Sequence, residues 1–251
     1  MNSTNDKTLI IAHRGASYDG PENTLAAVQL AWEQQADGVE VDIQLSRDGH
    51  IVVFHDEDTK RFDTIGKRVR DLTLEELRTL DVGSHKGEKW QGEGIPLLSD
   101  ILSHIPPEKI ILIEIKCGPE IISALQRDIS NGSLAAEQVL FIGFHRETMR
   151  AIKNYFPAHR ALRLYEFYRD PMKGWCPKAE ALIAEVREDN LDGLDVSHGP
   201  AIDQQFVARI QAAQLPLYVW TVNDRREAKR LQRFGVAGIT TDRPLWLRQG
   251  L

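Results

Sequence analysis

The sequence predicts an α/β fold, a (β/α)8 TIM barrel with a small insertion after its second strand. Three observations carry that expectation. Eight short apolar runs alternate with longer helix-like stretches, and a strand–helix repeat of this kind builds a parallel sheet. The chain has 251 residues, close to the length one barrel of eight such units requires, about 250. No Gly-x-Gly-x-x-Gly turn follows the first run, which counts against an open dinucleotide-binding sheet.

The first run, 9–12, leads into His13-Arg14-Gly15. Pro21 bars an early start to the helix at 24–34, and Asn23 is its expected N-cap, since a short side-chain oxygen can accept from the first free N–H groups. The second strand, 39–45, is followed by Arg47-Asp48-Gly49, a turn signal, so 51–54 should fold back as a hairpin. Residues 56–94 are rich in charge and glycine. That length far exceeds the usual βα loop of about 2–6 residues, so the segment is expected to be a subdomain or lid. Within it Thr73 should cap a short helix at 74–80, and a helix at 97–104 then completes the second unit. Further strands are expected at 110–115, 139–142, 161–164, 193–196, 217–220 and 237–240. The helices between them are expected at 121–128, 147–154, 179–188, 203–213 and 225–234. Asp203 can cap the fourth of these, and Pro216 follows its end. No linker interrupts the repeat, so residues 1–251 read as one domain carrying the insertion 56–94.

Composition narrows the function. A formal net charge of −6 argues against a general nucleic-acid binder, which is usually basic. Cys117 and Cys176 are too few for a disulfide framework and have no zinc-site spacing, so both should be free thiols. The start, MNSTNDKT, lacks the basic and apolar regions of a signal peptide. No apolar run approaches the ~20 residues that span a bilayer. These features lead us to expect a cytoplasmic protein without stable membrane insertion, acting on a small molecule; monomer and homodimer both stay open.

Barrel enzymes carry their chemistry at the C-terminal ends of the strands. Reading those ends in order gives His13-Arg14-Gly15, the Glu40-Val41-Asp42 strand, His55-Asp56 after the hairpin, Glu114-Ile115-Lys116, Trp220 and Thr241-Asp242. Glu40 and Asp42 are two apart on a strand and point to one side, with Cα atoms roughly 6.5 Å apart. Two carboxylates so close in a barrel interior repel and lose hydration. A hard divalent cation relieves both penalties, and Glu114 is a natural third ligand. An all-oxygen set suits one Mg²⁺ or Ca²⁺ rather than zinc. The competing reading is an outward-facing or salt-bridged pair; Lys116, on the face of Glu114, has as its own competing reading a simple ion pair with that glutamate. Arg14 can make a bidentate contact to a phosphate. With the cation, these groups form a positive pocket in an acidic protein.

His13 and His55 are the acid–base candidates. A phosphodiester needs its leaving oxygen protonated and its attacking hydroxyl deprotonated, and two histidines can do both near neutral pH. The remaining histidines, at 50, 85, 104, 145, 159 and 198, read as structural or surface, although His145 and His198 lie near strand ends.

At this point the residues resemble a known family. HRGASYDGPENTLAA, GVEVDIQLSRDGHIVVFHDEDTKR, LTLEELRTLDVGS, IPLLSDIL, LIEIK, VWTVND and GITTDRP are similar to the glycerophosphodiester phosphodiesterases of the cytoplasmic bacterial type. The resemblance covers 9–245. It implies Glu40, Asp42 and Glu114 as metal ligands, His13 and His55 as the acid–base pair, Arg14 and Lys116 as phosphate contacts, and Trp220 beside the glycerol moiety. It implies metal-dependent hydrolysis of glycerophosphodiesters to glycerol 3-phosphate and an alcohol. In the reaction so implied, the glycerol 2-hydroxyl attacks first and water opens the cyclic phosphate. The stretch 166–178 (EFYRDPMKGWCPK) has no pattern to transfer and is expected to line the alcohol side of the pocket. Two other readings compete. A phospholipase-like barrel would show an apolar rim for a membrane. A catalytically inactive binding barrel would be free to lose the histidines and carboxylates that this chain retains.

Overall fold

A computed structural model describes residues 7–251; most of the N-terminal stretch read above as lacking a leader lies outside them. The strands, in chain order, are β1 (Leu9–His13), β2 (Gly38–Leu45), β3 (Ile51–Val53), β4 (Ile110–Ile115), β5 (Val139–Gly143), β6 (Arg160–Tyr165), β7 (Tyr168–Asp170), β8 (Gly174–Cys176), β9 (Gly193–Ser197), β10 (Leu217–Trp220) and β11 (Gly238–Thr241). The helices are α1 (Leu25–Glu33), α2 (Leu74–Arg78), α3 (Leu98–Leu102), α4 (Ile122–Asn131), α5 (Arg146–Tyr155), α6 (Ala179–Glu188), α7 (Gln204–Ala212), α8 (Arg225–Phe234) and α9 (Pro244–Arg248). Eight strands pair in parallel in the ring β1–β2–β4–β5–β6–β9–β10–β11, and β11 pairs back onto β1. The sheet is therefore a closed (β/α)8 barrel, and closure removes its edges.

Strand parity sorts the side chains into two cores. On β4, Ile111, Ile113 and Ile115 pack outward with residues of the surrounding helices, such as Leu98, Leu125 and Ile152. Leu112 points inward and packs with Ile11, Leu140, Ile142, Leu162, Leu164 and Tyr218. Both faces of each strand are thus apolar, which is why the runs read as continuous rather than alternating. A polar residue within such a run must sit inside the barrel or disrupt the outer shell. Glu40, Asp42, Glu114 and Asp195 follow this rule.

Local signals explain most element starts. Asp203 Oδ1 accepts from the Phe206 N–H at 2.7 Å and caps α7. Thr73 and Glu76 form a reciprocal capping box on α2. The turn at Gly49 (φ +80) joins β2 to its antiparallel partner β3. Asn23, expected as the α1 cap, is not the cap. Thr24 holds that place, accepting from the Ala27 N–H at 3.2 Å. Asn23 adopts φ +58, a left-handed conformation that asparagine tolerates better than most residues, and its side chain turns into the site. Gly15 has φ +78, and a Cβ there would lie 2.6 Å from the Ala27 carbonyl carbon, so the loop after β1 packs onto α1 only because that position lacks a side chain.

The segment 56–94 carries its own small core of Val69, Leu72, Leu77 and Val82 beneath Phe54. It is tied to the loop after β1 at two points. Lys86 Nζ donates to the Ser17 carbonyl at 2.6 Å, and Arg61 donates to Glu22 Oε1 at 2.8 Å. The stretch 166–178 contains the hairpin β7–β8. Its turn is built by Asp170, whose Oδ1 accepts from the Met172 and Lys173 N–H groups, and by Gly174 at φ +73. Both cysteines are free. No helix among the described residues is long and apolar enough to cross a membrane.

Candidate active site

Glu40, Asp42 and Glu114 converge at one end of the barrel. In register His13 pairs with Glu40, and Asp42 pairs with Glu114, so the strand ends themselves bring these groups together. One oxygen from each carboxylate lies within 4.8 Å of the others. Glu40 and Asp42 are almost wholly buried. Burial, with the charges of Asp42 and Glu114 beside it, pushes Glu40 well above its ordinary range. Burial and Asp42 likewise push Glu114 up. Asp42 goes the other way: burial opposes ionisation, but Lys116, Arg14 and His55 hold it down, helped by the Asn23 hydrogen bond.

The second layer is specific. Asn23 grips Asp42 twice, donating from Nδ2 to Oδ2 at 2.8 Å and accepting the Asp42 N–H at 3.1 Å. Arg14 donates its backbone N–H to Glu40 Oε2 at 3.0 Å, while its Nε stands 3.1 Å from Asp42 Oδ2 and its Nη1 reaches Glu22 at 2.9 Å. Lys116 Nζ lies 2.7 Å from Glu114 Oε1 and 3.1 Å from Asp42 Oδ1. Burial works against its ammonium, but Asp42 and Glu114 keep its pKa raised. Among the described residues Glu40 Oε1 has no hydrogen-bond partner. A buried, orphaned carboxylate oxygen beside two further carboxylates fits a hard divalent cation, which would be held by oxygen alone.

The two histidines flank this cluster, and both line a cavity of about 200 Å³ with Arg14, Lys116 and Trp220. Each is oriented by an aspartate that reading the sequence gave no role. His13 Nδ1 lies 2.6 Å from Asp242 Oδ1, and His55 Nδ1 lies 2.8 Å from Asp56 Oδ1. An ionised carboxylate can only accept, so Nδ1 is the donor in each pair and Nε2 is left for chemistry. Asp242 also accepts from Ser17 Oγ at 3.1 Å and Asn223 Nδ2 at 2.6 Å. Burial raises its carboxyl, but these donors and His13 bring it down to about 2. Burial lowers His55, and Arg14 and Lys116 add to that against Asp42 and Asp56.

All eight residues singled out from the sequence thus gather around one cavity or its carboxylate cluster. A larger groove, about 930 Å³, opens beside it past His55 and Lys116 toward Arg47, Arg70 and His145. A recess of about 410 Å³ opens on the other side, where Glu166, Phe167 and Trp175 meet Trp220 and His198. The stretch 166–178 therefore walls a recess beside Trp220, while the groove past His55 is walled by the loops after β2, β4 and β5.

Comparison with known proteins agrees with this geometry. Residues 13–245 match the glycerophosphoryl diester phosphodiesterase family. The chain is 35% identical to a glycerophosphodiester phosphodiesterase of Caldanaerobacter subterraneus subsp. tengcongensis, with 95% of each chain covered. It is 33% identical to the putative glycerophosphodiester phosphodiesterase YhdW of Bacillus subtilis, covering 94% of each. Among solved structures, it resembles an Oleispira antarctica phosphodiesterase in complex with the product sn-glycerol-3-phosphate, with a TM-score of 0.84, 29% identity, and 97% and 96% of the two chains covered. It also resembles the Thermotoga maritima glycerophosphodiester phosphodiesterase, with a TM-score of 0.76, 26% identity, and 96% and 97% covered.

Proposed function

The chain belongs to the glycerophosphoryl diester phosphodiesterase family, and from that premise we propose that it hydrolyses glycerophosphodiesters to glycerol 3-phosphate and an alcohol by paired histidine catalysis with a divalent cation. One observation carries the reading: two histidines, each oriented by its own aspartate, flank a buried three-carboxylate cluster in one cavity. Glu40, Asp42 and Glu114 would hold a Mg²⁺ or Ca²⁺, which when bound neutralises charge on the phosphate. Arg14 and Lys116 supply fixed positive charge at the same place. With Nδ1 engaged, the Nε2 atoms of His13 and His55 take a proton from the attacking hydroxyl and give one to the departing alcohol. Each transfer is worth about 10²–10⁴ in rate. Trp220 provides an apolar wall for the glycerol carbons.

The test is a coupled assay for glycerol 3-phosphate over a panel of glycerophosphodiesters, with and without chelator. Release of glycerol 3-phosphate that stops on chelation and returns with Mg²⁺ or Ca²⁺ supports the reading. Full turnover after chelation refutes the cation, and no release from any diester refutes the activity. Tyr168 and Met172 on the β7–β8 hairpin are 62% and 95% exposed, which favours a second reading, contact with acyl chains at a lipid surface. A lysophospholipid in the same panel, cleaved faster than the deacylated diester, would favour that reading.

A further inference from the structure

The insertion after the second strand reaches both histidine–aspartate pairs from outside the barrel. Asp242 is held by two side-chain donors besides His13, Ser17 Oγ and Asn223 Nδ2. Asp56 has a single anchor: among the described residues, the only side chain on it besides His55 is Arg61, whose Nε stands 3.3 Å from Oδ2. One oxygen of Asp56 thus faces the imidazole and the other faces the guanidinium, so the carboxylate cannot turn without losing one of them. The same guanidinium donates from Nη2 to Glu22 Oε1 at 2.8 Å, the atom that accepts from Arg14 Nη1 at 2.9 Å. Arg61 therefore bridges the carboxylate that orients His55 and the carboxylate that holds Arg14.

Lys86 makes the second contact. Its Nζ donates to the Ser17 carbonyl at 2.6 Å, and the hydroxyl of that serine donates to Asp242 Oδ1 at 3.1 Å. The two arms are joined behind the site. Phe62, next to Arg61, meets the ring of His85, next to Lys86, edge-on with centroids 5.5 Å apart. Phe62 also packs on Phe54, the residue before His55, at 5.7 Å, and the Arg61 guanidinium lies 4.6 Å over the Phe62 ring. The Arg61 side chain is thus fixed although it is 40% exposed. Ion pairs so open to water stabilise a fold weakly, so stability gives little reason for two cations of one segment to end on these groups.

Resting on the proposed activity, we propose that the insertion is a clamp on the two histidines, with Arg61 a positioning residue for His55 and Arg14, and Lys86 a positioning residue for His13. Neither cation lines the cavity that holds the histidines, so each acts through another residue: Arg61 through Asp56 and Glu22, Lys86 through Ser17 and Asp242.

The experiment measures diester turnover by the full-length protein at saturating cation. Arg61→Ala should lower kcat by about 10- to 100-fold while the melting temperature moves little. With both partner carboxylates already removed, in Asp56→Ala/Glu22→Ala, the same substitution should cost no more than about threefold, because Arg61 then has nothing to hold. Methylguanidinium at sub-denaturing concentration should restore part of the kcat of Arg61→Ala and none in the background lacking the two carboxylates. Lys86→Met should lower kcat by less, since it reaches Asp242 through Ser17. Should Arg61→Ala fail to fold, Arg61→Lys carries the same comparison, as an ammonium keeps the charge but cannot fork between two carboxylates. Wild-type kcat in the Arg61 or Lys86 variant overturns the clamp, as does an equal loss from Arg61 substitution in both backgrounds, since the arginine would then act on the fold at large. In those cases the wild type still cleaves diesters and the activity stands. A wild type that cleaves no diester overturns the functional reading, and the clamp with it.

Discussion

His13 and Asp242 are 229 residues apart in the chain and 2.6 Å apart in space, Nδ1 to Oδ1. The contact exists because β1 pairs with β11, so the ring closes where His13 and the carboxylate that orients its ring meet.

Asp242→Asn should lower kcat by about 10²–10⁴, since the amide can hold the ring in the wrong tautomer. The same substitution should flatten the acid limb of stability. The folded-state carboxyl lies at about 2 against an ordinary 3.8. A depressed carboxyl stabilises the fold above its unfolded value, and that contribution is lost as pH falls from about 4 toward 2. It amounts to roughly 2 kcal/mol. Urea unfolding at pH 5 and pH 3 measures it; parallel losses in wild type and variant would show that Asp242 contributes none of it.

His55 should set an acidic limb of kcat/KM below the ordinary histidine value of 6.5, because burial and the nearby Arg14 and Lys116 disfavour its charged form. A pH–rate profile read at saturating cation tests this. A limb at or above 6.5, or one unchanged in His55→Ala, removes His55 from that role.

Glu40→Gln should weaken binding of Mg²⁺ or Ca²⁺ and abolish most activity, while melting no lower in the absence of cation. Glu40 is held well above its ordinary range by burial and by Asp42 and Glu114, so a neutral isostere relieves repulsion. In the wild type, cation at a hundred times its Kd should raise stability by about 2.7 kcal/mol. Calorimetric titration of both proteins decides it, and equal affinities would remove Glu40 from the ligand set.

Asn23→Ala should cost about 10- to 100-fold in cation affinity or turnover, the usual effect of losing a group that orients a ligand. Asn23 makes two hydrogen bonds to Asp42 and none as a helix cap. A drop in melting temperature with normal turnover would return it to a purely structural role.

The barrel was legible because its eight strands are apolar on both faces, so a carboxylate in a run such as IILIEI or GVEVDIQL stands out. Parity then put Glu40, Asp42 and Glu114 inside. The same signal was present in GLDVS, where Asp195 lies between fully buried Leu194 and Val196, but no second carboxylate on that face drew attention to it. Asn23 was misread because asparagine suits both an N-cap and a left-handed turn, and the sequence does not say which wins. Asp242 was visible at a strand end without a role, since only closure brings it to His13. Glu22, within PENT, gained its role from Arg14 and from Arg61 of the insertion, a contact no local pattern encodes. The β7–β8 hairpin rests on an Asp170 turn and a glycine, too short a signal to separate from loop.

Closure through β1 and β11 also bears on how the molecule is made. At synthesis rates of roughly 5–20 residues per second, β1 leaves the peptidyl-transferase centre on the order of 10–45 s before its last partner. Throughout that interval Leu9, Ile10 and Ile11 present a row of unpaired N–H and C=O groups on one side, the kind of edge that recruits foreign strands. That edge stays open until the final strand is made, and the pairing that closes it is also the one that brings Asp242 to His13.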